Sequence, residues 1–110
     1  MRDAPLVAEV LPALASRMEA ALRAQGEERL ADQVARLRIT AACPCEQPFC
    51  GSFHTSTTPM KRWFIRGRQV ELTDDGPGEI VVDVLRGQIA YVEVLYLDDV
   101  RDAVAGLAAR

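Results

Sequence analysis

Apolar residues in the first 36 positions recur at the spacing of an α-helix. Four of them lie three or four residues apart and therefore share one face: Leu11, Leu14, Met18 and Leu22. Pro12 lacks a backbone donor, so it either starts the main helix or kinks a longer helix that spans residues 4–24. A second, shorter helix is predicted from Glu27 to Arg36, because acids at its start and bases at its end suit the helix dipole.

Beyond residue 36 the spacing changes to the alternation that is typical of β-strands. The first strand is predicted over residues 37–42, and the chain is again extended over residues 51–57. Two hairpins are predicted at Arg66-Gly67 and Arg86-Gly87, because two-residue loops need the positive φ that glycine adopts easily. The predicted strands beside these turns span residues 61–65, 68–72, 80–85 and 88–97.

The last predicted element is a helix that Asp98 caps. The fold class is therefore α+β: two N-terminal helices, an antiparallel sheet that forms a meander of about five to six strands, and one C-terminal helix. No linker or low-complexity tract divides the 110 residues, so we predict a single domain. Its parts are a helical region 1–36, a cysteine loop with the sheet 37–97, and a C-terminal helix 98–110.

Composition and charge narrow the class of protein. With 49% hydrophobic and 26% charged residues, the chain is typical of a globular protein. The formal net charge of −3 argues against a general nucleic-acid binder. No window approaches the ~18 consecutive apolar residues of a membrane span, and Asp3 and Glu9 interrupt the run that a signal peptide needs. The odd count of 3 cysteines is not that of a secreted disulfide framework, so we predict a cytoplasmic protein without membrane association.

Residues 43–54 contain all the cysteines and the single histidine. The order is Cys43-x-Cys45-x4-Cys50-x3-His54. Zinc prefers a tetrahedron of thiolate and imidazole ligands, and a short loop can bring such ligands together at little entropic cost. The pattern therefore predicts a Zn²⁺ site, although the first two cysteines are closer in sequence than the usual ligand pair of a zinc finger.

Two other interpretations of these residues remain open. The cysteines can pack as small apolar side chains beneath the loop, and a histidine on a strand is often a surface or hydrogen-bonded residue. Alternatively, Cys50 forms a reversible disulfide with Cys43 or Cys45. Catalysis by Cys50 with His54 as its base lacks an evident third group to orient the histidine, so no catalytic residue is predicted.

A basic stretch follows the cysteine loop and is a candidate contact for a partner. No acidic residue occurs from Gln47 to Val70. The predicted contact residues are Arg62, Phe64, Arg66 and Arg68. Basic and aromatic side chains on one face of a strand can bind an acidic protein or single-stranded nucleic acid, or can simply be a solvated face. Because the whole chain is acidic, a solvated face is favoured over nucleic-acid binding. If the face does bind a partner, we predict a protein, and a homodimer would also help to stabilise a domain of this size.

Two stretches resemble a family of small uncharacterised bacterial proteins. The first is Cys43-Pro44-Cys45 with Phe49-Cys50-Gly51-Ser52-Phe53-His54-Thr55, and the second is Gly78–Asp83 with Gly87-Gln88-Ile89 and Val92–Leu95. The resemblance covers roughly Arg38 to Arg101. It implies a bacterial cytoplasmic origin and no assigned activity. At the position of His54 the family has Tyr, so the resemblance does not support His54 as the fourth ligand. If the family binds a metal, three cysteines with water or another residue could suffice.

From these observations we predict a non-enzymatic domain, stapled by zinc, that binds a protein partner in the manner of an immunity or adaptor protein. A thiol-based redox or metal-sensing protein would use the same cysteines. A nucleic-acid-binding module would use the basic strand 61–68 instead.

Overall fold

The N-terminal part of the protein is helical. A computed structural model describes residues 4–56 and 67–108. Its helices are α1 (Val7–Val10), α2 (Pro12–Ala24), α3 (Glu28–Gln33) and α4 (Asp98–Ala108), and a 3₁₀ turn (Val34–Arg36) follows α3. Leu11, between α1 and α2, has φ −129° and ψ 63°, which is not a helical conformation. Pro12 therefore starts the main helix, as one of the two sequence-based alternatives predicted.

Within the described residues, five antiparallel strands form one sheet in the order β1-β2-β5-β4-β3. The strands are β1 (Ala41–Ala42), β2 (Phe53–His54), β3 (Gly67–Glu71), β4 (Glu79–Leu85) and β5 (Gln88–Leu95). Strands β3 to β5 form a meander, and β2 adds to the free edge of β5. With helices before and after the sheet, the predicted α+β class is confirmed.

One face of the sheet and the apolar faces of the helices form a common core. Along β4 the buried residues alternate with partly exposed ones, as expected for a strand with one covered face. Val82 and Val92 pair across β4 and β5, and Phe53 of β2 lies beside Val92; all three are fully buried. The helix α4 contributes Val100, Val104 and Leu107 to this core, and all three are buried.

The hairpin between β4 and β5 has the turn that its sequence predicts. Arg86 has φ 52° and Gly87 has φ 79°, and positive φ at both positions matches the twist of the flanking strands. The other predicted hairpin is centred on Arg66-Gly67. Its first strand, 61–65, lies outside the described residues, and its second strand corresponds to β3.

The predicted strand 37–42 is wrong in most of its length. Regular pairing within the sheet is confined to Ala41 and Ala42. Before them the chain pairs with the N-terminal segment, because Ile39 N–H donates to Pro5 O at 2.9 Å and Val7 N–H donates to Leu37 O at 2.8 Å. Leu37 and Ile39 are buried, as their alternation predicted, but Ala41 is exposed after the chain changes partner. Within the described parts of the chain, no helix is long and apolar enough to cross a membrane.

Candidate metal centre

The cysteine loop connects β1 to β2 and is closed at its base by the pairing of these strands. Cys43 N–H donates to Ser52 O at 3.0 Å, directly beyond the pair formed by Ala42 and Phe53. Inside the loop, Cys50 N–H donates to Gln47 O at 3.1 Å. This turn reverses the chain and returns Cys50 towards the first two cysteines.

The far side of the loop is fastened to β5 and to α4. Gly51 N–H donates to Val94 O at 2.8 Å, and Tyr96 N–H donates to Phe49 O at 2.9 Å. The Arg101 guanidinium of α4 donates a hydrogen bond to Pro48 O. These contacts hold the return limb of the loop, so the position of Cys50 is set by the sheet and by the last helix together.

The three sulfur atoms meet at the mouth of the loop. The Sγ atoms of Cys43, Cys45 and Cys50 all lie within 4.8 Å of one another. All three residues are free thiols, with Cys45 exposed and the other two partly buried. Three thiolates on a tetrahedral zinc ion with bonds of about 2.3 Å would be about 3.8 Å apart, so small side-chain rotations suffice to close the cluster around an ion. The cluster can therefore hold a metal.

The buried Ser52 side chain contacts Cys50 Sγ and the backbone of β5. Its hydroxyl oxygen accepts a hydrogen bond from Val94 N–H at 2.9 Å, and it lies 3.3 Å from Cys50 Sγ and 3.4 Å from Val94 O. A hydroxyl has one proton, so when Cys50 is a thiolate the Ser52 O–H can donate to the sulfur. Ser52 is almost fully buried, which fixes this arrangement.

Cys45 and Cys50 differ in acidity because of these contacts. Burial by itself would raise the pKa of Cys50, but hydrogen bonds from Ser52 and from the other two thiols lower it below the ordinary value. At Cys45 the Gln47 backbone N–H acts to lower the pKa, yet the neighbouring Cys50 and Cys43 raise it overall. Cys50 therefore ionises more readily than Cys45, and a thiolate is the form that binds a metal.

His54 is the fourth residue of the predicted zinc site, and it lies outside the group of ligand atoms that approach within 4.8 Å of one another. It lies in β2, next to Tyr91 of β5, and the two rings meet edge-on with centroids 4.7 Å apart. Burial lowers the pKa of His54 and so favours the neutral imidazole. Among the described residues, the cluster with metal-binding spacing consists of the three cysteines without His54.

Tyr91 and Ser52 are residues of the site that the sequence analysis did not identify. Burial raises the pKa of Tyr91, and hydrogen bonding to the Cys43 thiol raises it further, so the phenol stays protonated beside the cluster. Ser52 is within two residues of Cys50 and could have been suspected from that proximity. Tyr91 lies in a distant part of the chain, and only the register of β2 on β5 brings it to the loop.

The predicted partner-binding residues are only partly described. Arg62, Phe64 and Arg66 lie outside the described residues. Arg68 forms a two-pronged ion pair with Glu27, with nitrogen–oxygen distances of 3.0 and 3.1 Å. This pairing lowers the pKa of Glu27, and it links β3 to the start of α3. Arg68 thus already has an acidic partner within the chain.

An acidic pair on the open face of the sheet does not form a catalytic arrangement. Asp83 pairs with Tyr91 and Val81 pairs with Glu93, so the two carboxylates are diagonal neighbours and not directly opposite each other. Burial raises the pKa of Glu93, and the charges of Asp83 and Glu79 raise it further. The geometry gives no reason to assign acid–base catalysis to them.

In comparisons with known proteins, no family model, no curated protein and no solved structure matches the chain. The resemblance to the small bacterial family therefore stays a prediction, and the site must be interpreted from its own geometry.

Proposed function

We propose that the protein is a non-enzymatic domain whose cysteine loop is stapled by Zn²⁺ and supports contact with a protein partner. The observation that carries this proposal is the approach of three sulfur atoms to within 4.8 Å without a disulfide. Soft thiolate ligands favour zinc or copper(I) over the hard ions magnesium and calcium. With three ligands from the chain, water or an added ligand would complete the tetrahedron.

The cysteine loop has little structure of its own that would stabilise it, and a bound metal would supply that stability. Residues 44–49 are all exposed and contain no strand or α-helix. Glu46, in the middle of the loop, has φ 61°, a left-handed conformation that costs free energy for a residue with a side chain. A metal ion bound by three loop residues would offset this cost, because metal-binding free energy adds directly to folding free energy.

An exposed aromatic pair beside the loop supports the idea of a protein contact. The rings of Phe49 and Tyr96 stack with centroids 5.2 Å apart, and they are 36% and 59% exposed. Aromatic side chains are enriched among the residues that dominate binding energy at protein interfaces. Phe49 is the sequence neighbour of Cys50, so the proposed metal site and the aromatic contact surface are adjacent. Metal binding at Cys50 would therefore restrict the position of Phe49.

Cobalt substitution tests the ligand set. Co²⁺ has visible absorption that reports tetrahedral thiolate coordination, and it can be titrated into metal-free wild type and single variants. We expect the bands in wild type and His54→Ala, and their loss or strong weakening in Cys43→Ser, Cys45→Ser and Cys50→Ser. Loss of the bands in His54→Ala would mean that the histidine is a ligand after all. Retention in all three serine variants would refute the site.

The contact surface needs a separate experiment. Proteins retained from a cell extract by the wild type would be compared with those retained by a Phe49→Ser/Tyr96→Ser double variant that still binds metal. Retention of the same proteins by both would exclude the aromatic pair as the contact.

A second candidate, a thiol redox protein, is favoured by the lowered pKa of Cys50. In this alternative a hydroperoxide oxidises the Cys50 thiolate to a sulfenic acid, and a second thiol of the cluster displaces water to form a disulfide. Mass spectrometry after brief peroxide treatment separates the two functions. A rapid loss of two hydrogen atoms, which marks a new disulfide, in the zinc-loaded protein would favour the redox function. Protection of the thiols by zinc would favour the structural zinc site.

A further inference from the structure

A cleft with polar and apolar lining opens between the end of the helical region and the start of β5, and none of the three cysteines lines it. Its volume is about 490 Å³, which lies within the range of small-molecule sites. The described residues that line it are Gln33, Arg36, Leu37, Arg38, Thr40, Thr55, Ser56, Gln88 and Ile89. Two of these residues are cationic and none is acidic, so the lining favours an anion.

The two arginines are oriented by the backbone and have no acidic partner among the described residues. Leu37 is buried between them, so Arg36 and Arg38 both point outwards. An Arg36 nitrogen donates to Asp32 O at 3.3 Å, and an Arg38 nitrogen donates to Ala4 O at 2.7 Å. Each guanidinium carries five N–H donors, so several remain for a ligand.

The floor of the cleft is held by hydrogen bonds that do not need a ligand. The Gln33 amide donates to Gly87 O at 2.7 Å and accepts from Ile89 N–H at 2.9 Å. The Thr55 hydroxyl donates to Ile89 O at 2.8 Å, and the Thr40 hydroxyl lies 3.1 Å from two backbone carbonyl oxygens. A rigid floor reduces the ordering cost of binding, and it leaves recognition of charge to the arginines.

We propose that this cleft binds a small phosphate monoester through Arg36 and Arg38. The two guanidinium groups form no ion pair with an acid among the described residues, so together they match a group of charge close to −2. A phosphate monoester carries such a charge near neutral pH and a single carboxylate does not. Guanidinium groups also match the geometry of phosphate oxygens, to which they can donate two parallel hydrogen bonds. The remaining volume accepts the organic part of the ester against Leu37 and Ile89.

Titration of the full-length protein with phenyl phosphate, followed by amide and arginine side-chain NMR, tests the proposal. The titration is run at constant ionic strength and about pH 7.5, above the second phosphate pKa of about 6. Benzoate serves as the probe with one charge. The variant is Arg36→Gln/Arg38→Gln, and the control is Arg29→Gln/Arg86→Gln. The control loses the same charge from two exposed arginines that lie outside the lining and form no ion pair with described residues.

We expect saturable shifts that map to the cleft, with a dissociation constant of about 1 mM or lower for phenyl phosphate. Binding should weaken at least about tenfold in the cleft variant and stay within about twofold of wild type in the control. Benzoate should bind about tenfold more weakly than phenyl phosphate. Shifts that do not saturate, equal losses in the two double variants, or equal binding of the two probes would each overturn the proposal.

Discussion

Substitution of Ser52 by alanine should destabilise the protein even when no metal is present. The Ser52 hydroxyl accepts the 2.9 Å hydrogen bond of Val94 N–H, and Val94 is fully buried in the central strand β5. In a regular strand pair the Val94 N–H would donate to a backbone carbonyl of the neighbouring strand. Here it donates to the Ser52 hydroxyl oxygen instead. Ser52→Ala leaves the Val94 N–H without that partner, in a place that water does not reach.

The expected loss can be estimated from this single contact. A buried donor left unsatisfied costs about 1–3 kcal/mol, and we expect about 2 kcal/mol, the middle of this range, because Val94 is fully buried. In a domain of this size, that loss lowers the Tm by roughly 10 °C. Thermal unfolding by circular dichroism in the presence of a chelator measures this structural effect alone.

A second measurement on the same variant isolates the effect on the metal. Ser52 also lies 3.3 Å from Cys50 Sγ, and removal of a group that orients a ligand typically weakens metal binding about 10–100-fold. Zinc affinity is obtained by competition with a chelating dye. Ser16→Ala is the matched control, because Ser16 is exposed in α2 and its replacement should change stability by less than about 0.5 kcal/mol. A chelated Ser52→Ala protein as stable as this control would refute the assigned hydrogen bond.

Two further predictions concern the support of the loop and the open face of the sheet. A Cβ atom at Gly51 would lie 2.9 Å from the Arg101 backbone nitrogen, so Gly51→Ala should lower the free energy of unfolding, measured in urea, by about 1–3 kcal/mol. At Gly106 a Cβ atom would meet no atom within 4 Å, so Gly106→Ala should raise that free energy by about 0.5–1 kcal/mol. Equal effects of the two substitutions would contradict the packing of α4 on the loop. Burial raises the pKa of Asp83, and its Oδ1 has no hydrogen-bond partner within the described structure. Above the pKa that Asp83 has in the folded protein, its ionised carboxylate therefore destabilises the fold. Asp83→Asn should therefore raise stability at neutral pH by up to about 1 kcal/mol, after allowance for partial exposure, and the gain should vanish below the unfolded pKa of about 3.9. An equal gain from Asp75→Asn, an exposed turn residue, would show that only net charge matters.

Local patterns were sufficient to predict much of the fold. The helical spacing of apolar residues, the position of Pro12 and the Arg86-Gly87 turn are each determined within a few residues of the chain, and the structure agrees with all three. Strand 37–42 could not be predicted correctly, because its partner is the distant segment before α1. Alternation shows which side chains are buried, but it does not show which segment covers them.

In the candidate site, too, local features could be predicted from the sequence, whereas features that depend on distant segments could not. The cysteine spacing was enough to predict that Cys43, Cys45 and Cys50 come together, since a short loop confines them. The place of His54 depended on the direction in which β2 presents its side chains, and the contribution of Tyr91 depended on the register of β2 with β5. The ion pair of Arg68 with Glu27 likewise joins two elements that are far apart in sequence.

We propose that the cysteine loop holds a zinc ion, and a measurement of metal content tests this proposal most directly. The protein would be purified without added metal and without a metal-affinity column, then measured by plasma mass spectrometry beside Cys50→Ser. We expect about one zinc per chain in the wild type, and in the variant a loss of the metal together with a lower Tm. A metal-free wild type with three titratable thiols and the same Tm as Cys50→Ser would contradict the claim.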